Sequence, residues 1–533
     1  MNNAERKAHL IGSGIAHLAA AAYLIKDGGF SGANISIYEE EPTPGGALDA
    51  GGTPEEGYHM RGERMYEPNY VCMLDLFSFI PSLDDPTKSV TQDTLEFSEE
   101  YRWHNKARLV ANGKILDFSD MGFNERDQLE LLALTAKPER AANDKRVNEV
   151  FSEHFFETNF WHMWKTLFAF EPYHSAIEFR RYLLRFMHLF PDLTTQSELL
   201  HTRYTQYDSM VRPLIKWLTD RGVQYVPNTR VTDIDIDFGG NGTGGEFTAR
   251  GITMVQDGEQ KTVELRPEDI VMATLGSMVA NVTFGTNDSP PEVITDPAHE
   301  GKWALWETLS RKSKAIFRDP SVFTDHFDES KFVTYTVTQT DRRFFDLMEE
   351  FAGNEIGRNG MTSLPESSWS LSFILSHQPY YQKQPEGVYV WYGIALYPDK
   401  VGDYVRKPMA QCSGREFLEE LVRHMGFHDD VKRIVDSSTV KVNMMPFGIA
   451  QFLKRKISDR PDVVPEGSTN LALTGQFVEV PEDCIFTVEY SVRTAQVAVF
   501  TLLNLDKEPT PMRRPWRDLH VVWNAFKTLT QGS

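Results

Sequence analysis

The feature that most constrains the fold lies near the N-terminus. Ala8 to Ile11 is a short, mostly apolar run, Gly12-Ser13-Gly14 follows, and Ile15 to Lys26 is an alanine-rich helical stretch ended by Gly28-Gly29. Asn34 to Tyr38 reads as a second strand, closed by the acidic run Glu39-Glu40-Glu41. A glycine turn between a strand and a helix lets the backbone approach a pyrophosphate, and the helix N-terminus adds N–H donors and a favourable dipole. Gly12 and Gly14 are therefore candidate phosphate-binding residues, with Glu39 placed to meet a ribose hydroxyl. His17 takes the third glycine position and breaks the strict fingerprint, so a turn that serves only structure competes with this reading.

Two further elements favour a flavin dinucleotide over a free nicotinamide cofactor. Gly45-Gly46 forms a second glycine turn just beyond Glu39, and the strand Leu471 to Thr474 meets Gly475 before a helix starting near Thr487. Taken singly, Gly45-Gly46 is also an ordinary surface turn. Together the three turns describe a cofactor held by residues from both ends of the chain.

The rest of the chain alternates in character. From about Thr91 to Thr205 it is mainly helical and rich in aromatics, with Phe155, Phe156, Phe160, Trp161, Trp164, Phe168, Phe170 and Tyr173 crowded together and a helix through Glu178 to Phe186. Period-two strands return at Val223 to Val226, Val231 to Ile236 and Ile270 to Ala273, then at Phe332 to Thr338, Trp369 to Leu375 and Val388 to Ile394. The expected class is α/β. A Rossmann-like FAD-binding domain is built from discontinuous segments 1–94, 207–285 and 464–505. A helical aromatic-rich insert spans 95–206, a mixed α+β substrate domain 286–463, and a helical segment 506–533.

Bulk properties exclude several classes. A formal net charge of -21 argues against nucleic acid as a partner. The cysteines Cys72, Cys412 and Cys484 are far apart and form no Cys/His cluster, so no metal site is expected and a reducing cytoplasm fits. No N-terminal signal pattern occurs, and no uncharged apolar stretch approaches the roughly 20 residues that span a bilayer.

Many short motifs, in order along nearly the whole chain, resemble one family, the oleate hydratases, once called myosin-cross-reactive antigens. They are Gly12-Ser13-Gly14-Ile15-Ala16, Glu39-Glu40, Gly45-Gly46-Ala47-Leu48-Asp49 and Arg61-Gly62-x-Arg64, followed by Asn159-Phe160-Trp161, Phe168-Ala169-Phe170, His174-Ser175-Ala176, Tyr204 to Ser209 and Arg212 to Leu218. Met445-Pro446-Phe447, Gly475 to Glu479 and Phe486 to Thr494 complete the series. The resemblance implies an enzyme, a hydro-lyase that adds water to the cis-9 double bond of oleate to give 10-hydroxystearate. FAD, most active when reduced, acts through shape and electrostatics because the reaction is redox-neutral. The implied cofactor set is Gly12, Gly14, Ile15, Ala16, Glu39, Glu40, Gly45, Gly46, Ala47, Arg61, Gly62, Arg64, Val231, Gly276, Ser277, Gly475, Gln476, Phe486 and Thr487.

The family's proton-donating tyrosine is matched by Tyr182; by pattern alone it reads as a core residue of an amphipathic helix. A phenol, with its ordinary pKa near ~10, stays protonated at neutral pH. The base departs from the family. Where relatives carry Arg-Gly-Gly-Arg-Glu-Met-Glu, this chain reads Arg61-Gly62-Glu63-Arg64-Met65-Tyr66-Glu67, and the Met65 thioether cannot take a proton. Glu63 or Glu67 takes over, with Glu63 the candidate; or backbone and flavin orient the water; or the chain is a weak hydratase or has moved to a related reaction such as double-bond isomerisation. An amine-oxidase-like or desaturase-like oxidoreductase and a non-catalytic fatty-acid-binding flavoprotein are the readings from other classes.

The acyl tunnel is expected along Phe155 to Tyr173 and Met444 to Phe447, with Asn443 or the arginines Arg342-Arg343 at the carboxylate. From Met512 onward, Arg513, Arg514, Arg517 and Lys527 alternate with Trp516, Leu519, Trp523 and Phe526, a pattern that suits either peripheral membrane contact or packing on the protein itself. Few residues precede the first strand, whereas many relatives use a longer N-terminal extension in a dimer interface. Monomer and homodimer both stay open.

Overall fold

The computed structural model describes residues 3–239 and 245–531. Its organising element is a five-stranded parallel sheet of β1 (Ala8–Ile11), β2 (Ile35–Tyr38), β3 (Gln224–Val226), β4 (Ile270–Thr274) and β5 (Leu471–Thr474), in the order β5-β4-β1-β2-β3. β1 and β5 are buried at every position, and β4 at all but its last. Strands covered on both faces read as continuous apolar runs, which is why these stood out in the sequence. α1 (Ile15–Lys26) buries Ile15 through Leu24 in an unbroken run. Its four alanines, Ala19 to Ala22, let the late helix α3 (Val488–Leu502) pack close across it.

The insert contributes α2 (Ala176–Arg185), in which Glu178, Arg181 and Arg185 are buried and paired. Glu178 meets Arg455 at 2.7 Å and Arg460 at 3.1 Å, Arg181 meets Glu139 and Glu479, and Arg185 meets Glu67 at 3.0 Å. A second, antiparallel sheet of six strands runs in the order 283–284, 438–445, 332–339, 389–395, 372–374, 362–363. Phe332–Gln339 is its spine, paired on both sides and buried at all positions. A three-stranded sheet, 229–237, 248–256 and 259–264, stands beside the parallel one. Its outer hairpin turns on Asp257-Gly258, both at positive φ (51° and 83°), the conformation a two-residue hairpin turn requires. The chain ends in α4 (Leu519–Gln531). Among the described residues no helix is long and apolar enough to cross a membrane.

The α/β class expected from the glycine turns is the class observed. Element bounds move by a residue or two, except that Trp369 to Leu375 contracts to the strand Ser372–Ile374. Ser370, at φ 52°, interrupts the extended backbone there.

Candidate active site

Two cavities meet at the C-terminal end of the parallel sheet, where open α/β sheets hold their ligands. The first is lined by Gly12, Gly14, Ile15, Ala16, Glu39, Gly45, Gly46, Ala47, Gly276, Ser277, Gly475 and Gln476, among others. All three expected turns thus converge. Gly12, Gly45 and Gly475 hold φ of +108°, +123° and +92°, values that exclude most side chains. Gly45 donates its N–H to the Ser13 carbonyl at 3.1 Å, and a Cβ on Gly46 would stand 3.1 Å from the Gly14 Cα, so the first two turns are interlocked. A Cβ on Gly14 itself would meet nothing within 4 Å. That open face, together with an α1 N-terminus lacking both a capping side chain and an acidic first turn, leaves a cradle for an anionic group.

Glu39 sits beneath this cradle. Ser13 donates to one carboxylate oxygen through both its N–H and its hydroxyl at 2.7 Å, while Glu41 N–H and Lys302 reach the other at 3.1 and 3.3 Å. Burial pushes its pKa up, but Lys302 and the Ser13 bonds outweigh it and bring the carboxyl down to about 2, so Glu39 is an anion. His17 explains the missing third glycine. Its Nδ1 bonds the Gly12 carbonyl at 2.9 Å and its Nε2 the Thr474 hydroxyl at 2.8 Å, tying the first glycine turn to the last. Burial lowers its pKa to about 4 and keeps it neutral.

Not every expected cofactor residue faces this cavity. Arg61 is turned away, pairing with Asp49 at 2.9 Å and reaching the Val279 carbonyl, and it lines neither cavity. Gly62 lies on the second cavity instead. Glu40 and Val231 line a small side recess beside Glu39, where Glu40 accepts the Gly301 N–H at 2.7 Å. Lys302 and Thr274 also line the cradle, isolated polar residues with no motif around them, as does Ser491, which lies inside the Phe486 to Thr494 motif but is not singled out by it.

The second cavity is bounded by Glu63, Met65, Tyr66, Phe168, Tyr182, Phe186, Phe332 and Tyr392 among others. Arg64, Phe486 and Thr487 belong to both cavities and form the partition. The Arg64 guanidinium lies over the Phe486 ring at 4.9 Å. Phe486 has φ +65°, a conformation that costs a bulky residue about 1–3 kcal/mol and persists only where the surroundings impose it.

Tyr182 reaches the second cavity from α2, caged by Phe168 (4.9 Å), Phe170 (5.0 Å), Phe186 (5.3 Å) and Phe452 (5.7 Å). Its hydroxyl donates to the Ile485 carbonyl at 2.5 Å. Burial, then Cys484 and Tyr70, hold its pKa well above the ordinary value, so it is firmly protonated. Glu63 lines the same space and accepts the Gln206 N–H at 2.9 Å. Desolvation pushes its carboxyl up to about 8 against the pull of Gln206, Tyr380 and Arg64. Glu67, the alternative, is spent: Arg185, His188 and the Asn69 N–H occupy it at 3.0, 3.1 and 2.7 Å.

The expected tunnel walls are corrected. Of the stretch from Phe155 to Tyr173 only Leu167, Phe168 and Ala169 line the cavity; Phe155, Phe160, Trp161 and Trp164 pack on one another in the core, Phe170 packs on Phe179, Tyr182 and Phe452, and Met444 to Phe447 are absent from the wall. The wall comes instead from Phe332, Phe373, Ile374 and Tyr392 of the antiparallel sheet. Neither expected carboxylate partner faces it. Asn443 donates to the Met60 carbonyl and Thr334 inside the core, and Arg342 and Arg343 pair with Asp346, Glu349 and Asp430. One acidic group was also unforeseen: Asp403, Glu420 and His424 bring ligand-type atoms within 4.8 Å of one another. Glu420 is already filled by the N–H groups of residues 403–405.

A model of the MCRA family matches residues 5–500. The chain is 36% identical over 512 residues to an oleate hydratase of Streptococcus pyogenes, covering 94% of this chain and 85% of that protein. It is 32% identical over 535 residues to a linoleate hydratase of Lactiplantibacillus plantarum, covering 93% of each. Among solved structures the fold is similar to cyclohexylamine oxidase from Brevibacterium oxydans (TM-score 0.55, 14% identity, 94% of this chain and 99% of that one). It is also similar to an oxidoreductase from Methanosarcina mazei (TM-score 0.51, 12% identity, 93% and 100%). At such identities the likeness concerns the fold alone.

Proposed function

The chain belongs to the MCRA family, and from that premise we propose that it is an FAD-dependent hydro-lyase that hydrates the cis-9 double bond of oleate to 10-hydroxystearate. The observation that carries this reading is the placement of Tyr182 and Glu63 on one largely apolar cavity that shares a wall with the glycine-turn cradle.

The cradle suits FAD: Gly12, Gly14, Ile15 and Ala16 would meet the pyrophosphate, Glu39 the ribose end, and Arg64 with Phe486 the end nearest the second cavity. When bound, and best when reduced, the flavin supplies shape and electrostatics to that wall, since the net reaction moves no electrons. In the cavity, Tyr182 gives its proton to C9 as a water oxygen bonds to C10, and the water's surplus proton passes to the Glu63 carboxylate. Return of that proton from Glu63 to the Tyr182 phenolate restores the site, so protons balance over one turnover. Met65 contributes apolar wall where relatives place a carboxylate.

Exposed Leu519, Trp523 and Phe526 on α4 support peripheral contact with a lipid surface, from which the substrate would be drawn.

Purified protein incubated anaerobically with oleate and reduced FAD in oxygen-18 water tests the reading, with products analysed by mass spectrometry. Labelled 10-hydroxystearate is expected. Oleate bound but unchanged would replace hydration with a binding role; a shifted or new double bond would replace it with isomerase or desaturase chemistry.

A further inference from the structure

Gln476 follows the Gly475 turn and borders the cradle, yet its carboxamide is committed elsewhere. Its Oε1 accepts the Phe486 N–H, and its Nε2 donates to the Thr487 carbonyl at 3.0 Å and to the Ser491 hydroxyl at 2.7 Å. Only one amide orientation fits, because a backbone N–H can only donate and a carbonyl can only accept. Both amide hydrogens are therefore used inside the protein.

The segment that Gln476 grips is the one that holds Tyr182. The Ile485 carbonyl receives the Tyr182 hydroxyl at 2.5 Å. Phe486, next in the chain, is kept in its left-handed conformation by Gln476 on its N–H, Arg64 over its ring and Phe452 at its edge, 5.3 Å away. Thr487 then caps α3, its hydroxyl accepting the Tyr490 N–H at 3.0 Å. Rotating the 485–486 peptide would release the strain at Phe486 and carry the Ile485 carbonyl away from the phenol. Gln476 opposes that rotation from both sides, at Phe486 N–H and at Thr487 C=O.

We propose that Gln476 is a positioning residue that fixes the Tyr182 hydroxyl through the 485–487 backbone, and that it does not recognise the cofactor directly. This rests on the reading of Tyr182 as proton donor. Because Gln476 rides on the Gly475 turn, a group seated on that turn is coupled to the donor hydroxyl through a single side chain.

The test compares Gln476→Leu, Gln476→Glu, Tyr182→Phe and the double variant Tyr182→Phe/Gln476→Leu. It reads FAD dissociation constants by flavin fluorescence, and kcat and KM for oleate hydration. Gln476→Leu is expected to lower kcat about tenfold or more, with KM and FAD affinity within about twofold, and to add no further loss to Tyr182→Phe. Gln476→Glu keeps the acceptor but, when ionised, loses the donors. Its kcat, taken as a ratio to wild type at the same pH, is expected to recover as pH falls and the carboxyl regains a proton to offer Thr487, a rescue absent from Gln476→Leu; this variant also carries the test if Gln476→Leu does not fold. FAD affinity falling in step with activity, additive losses in the double variant, or unchanged kcat with Tyr182→Phe inactive would each overturn this inference alone. Full hydration by Tyr182→Phe would instead overturn the donor reading and the inference with it.

Discussion

Tyr182 differs from phenylalanine by one hydroxyl, and that hydroxyl has one partner, the Ile485 carbonyl. Tyr182→Phe keeps the four aromatic contacts and loses about 1 kcal/mol of hydrogen bonding. On the proposed mechanism it also removes the proton donor, for which a kcat loss on the order of 10²–10⁴ is expected. Product yield and a thermal melt, measured on one preparation, separate the two effects. At Glu63 the argument runs through pH. With a folded pKa of about 8, the carboxyl is mainly protonated at neutrality and becomes a base only as pH rises. The wild-type rate should therefore climb through that value, and Glu63→Gln should lose the climb. The linkage has the same origin: the unfolded chain ionises near the ordinary 4.5 while the fold retains the proton, so stability falls as pH rises from there to about 8. Glu63→Gln removes this slope, and denaturant midpoints across that window would show it. The glycine turns were legible because each needs a backbone that only glycine readily adopts, and Met65 because a carboxylate was missing from a pattern. Lys302 and Arg61 were not: whether a long cation faces a cavity or a neighbouring carboxylate is decided by chain segments far away in sequence.

At the scale of elements, α2 is held by buried charge. Glu178, fully buried between Arg455 and Arg460, is displaced upward by burial but brought down to about 2 by those arginines and Arg181. Its contribution is present above the ordinary carboxyl pKa of 4.5 and is lost as pH falls from there through about 2. Glu178→Ala leaves buried guanidinium groups uncompensated and should cost about 3–5 kcal/mol at neutral pH, less in acid; urea unfolding at two pH values would show the difference. α4 makes the opposite case: Ala525 and Leu529 pack on the protein, but a second apolar side is left uncovered. Leu519 is 85% exposed and Trp523 54%. Serine at both positions should leave the melting temperature unchanged while reducing co-flotation with anionic phospholipid vesicles; unchanged flotation would remove the lipid-contact proposal. Parallel strands were readable from their apolar runs. The Asp257-Gly258 hairpin carries its turn residues in the sequence, but its outer strand, Glu259–Glu264, is polar and largely exposed and has no apolar alternation to mark it.

At the scale of the whole molecule, the cradle is assembled from Gly12, Gly45, Gly276 and Gly475, hundreds of residues apart in the chain. A ligand bridging them binds only the folded state. FAD at about 100 times its dissociation constant should therefore add roughly 2.7 kcal/mol of stability, read as a rise in melting temperature that scales with the logarithm of free FAD. A cofactor that left the melt unmoved would contradict the assignment of this cavity. What the sequence concealed at this scale is which sheet walls the second cavity: strands near Phe332 and Tyr392 were recognised as strands, but their apolar faces do not announce whether they meet a core or a void. The strand order has a further consequence, for synthesis. β1 pairs with β4, and β4 in turn with β5 at Leu471–Thr474. During translation β1 finds β2 at once, but its other edge waits for Ile270–Thr274, about halfway along the chain, and β4 in turn waits unpaired until Leu471–Thr474 has left the ribosome. Such long-range closure is slow and exposes apolar strands meanwhile, so the nascent chain depends on chaperone shelter more than its finished stability would suggest.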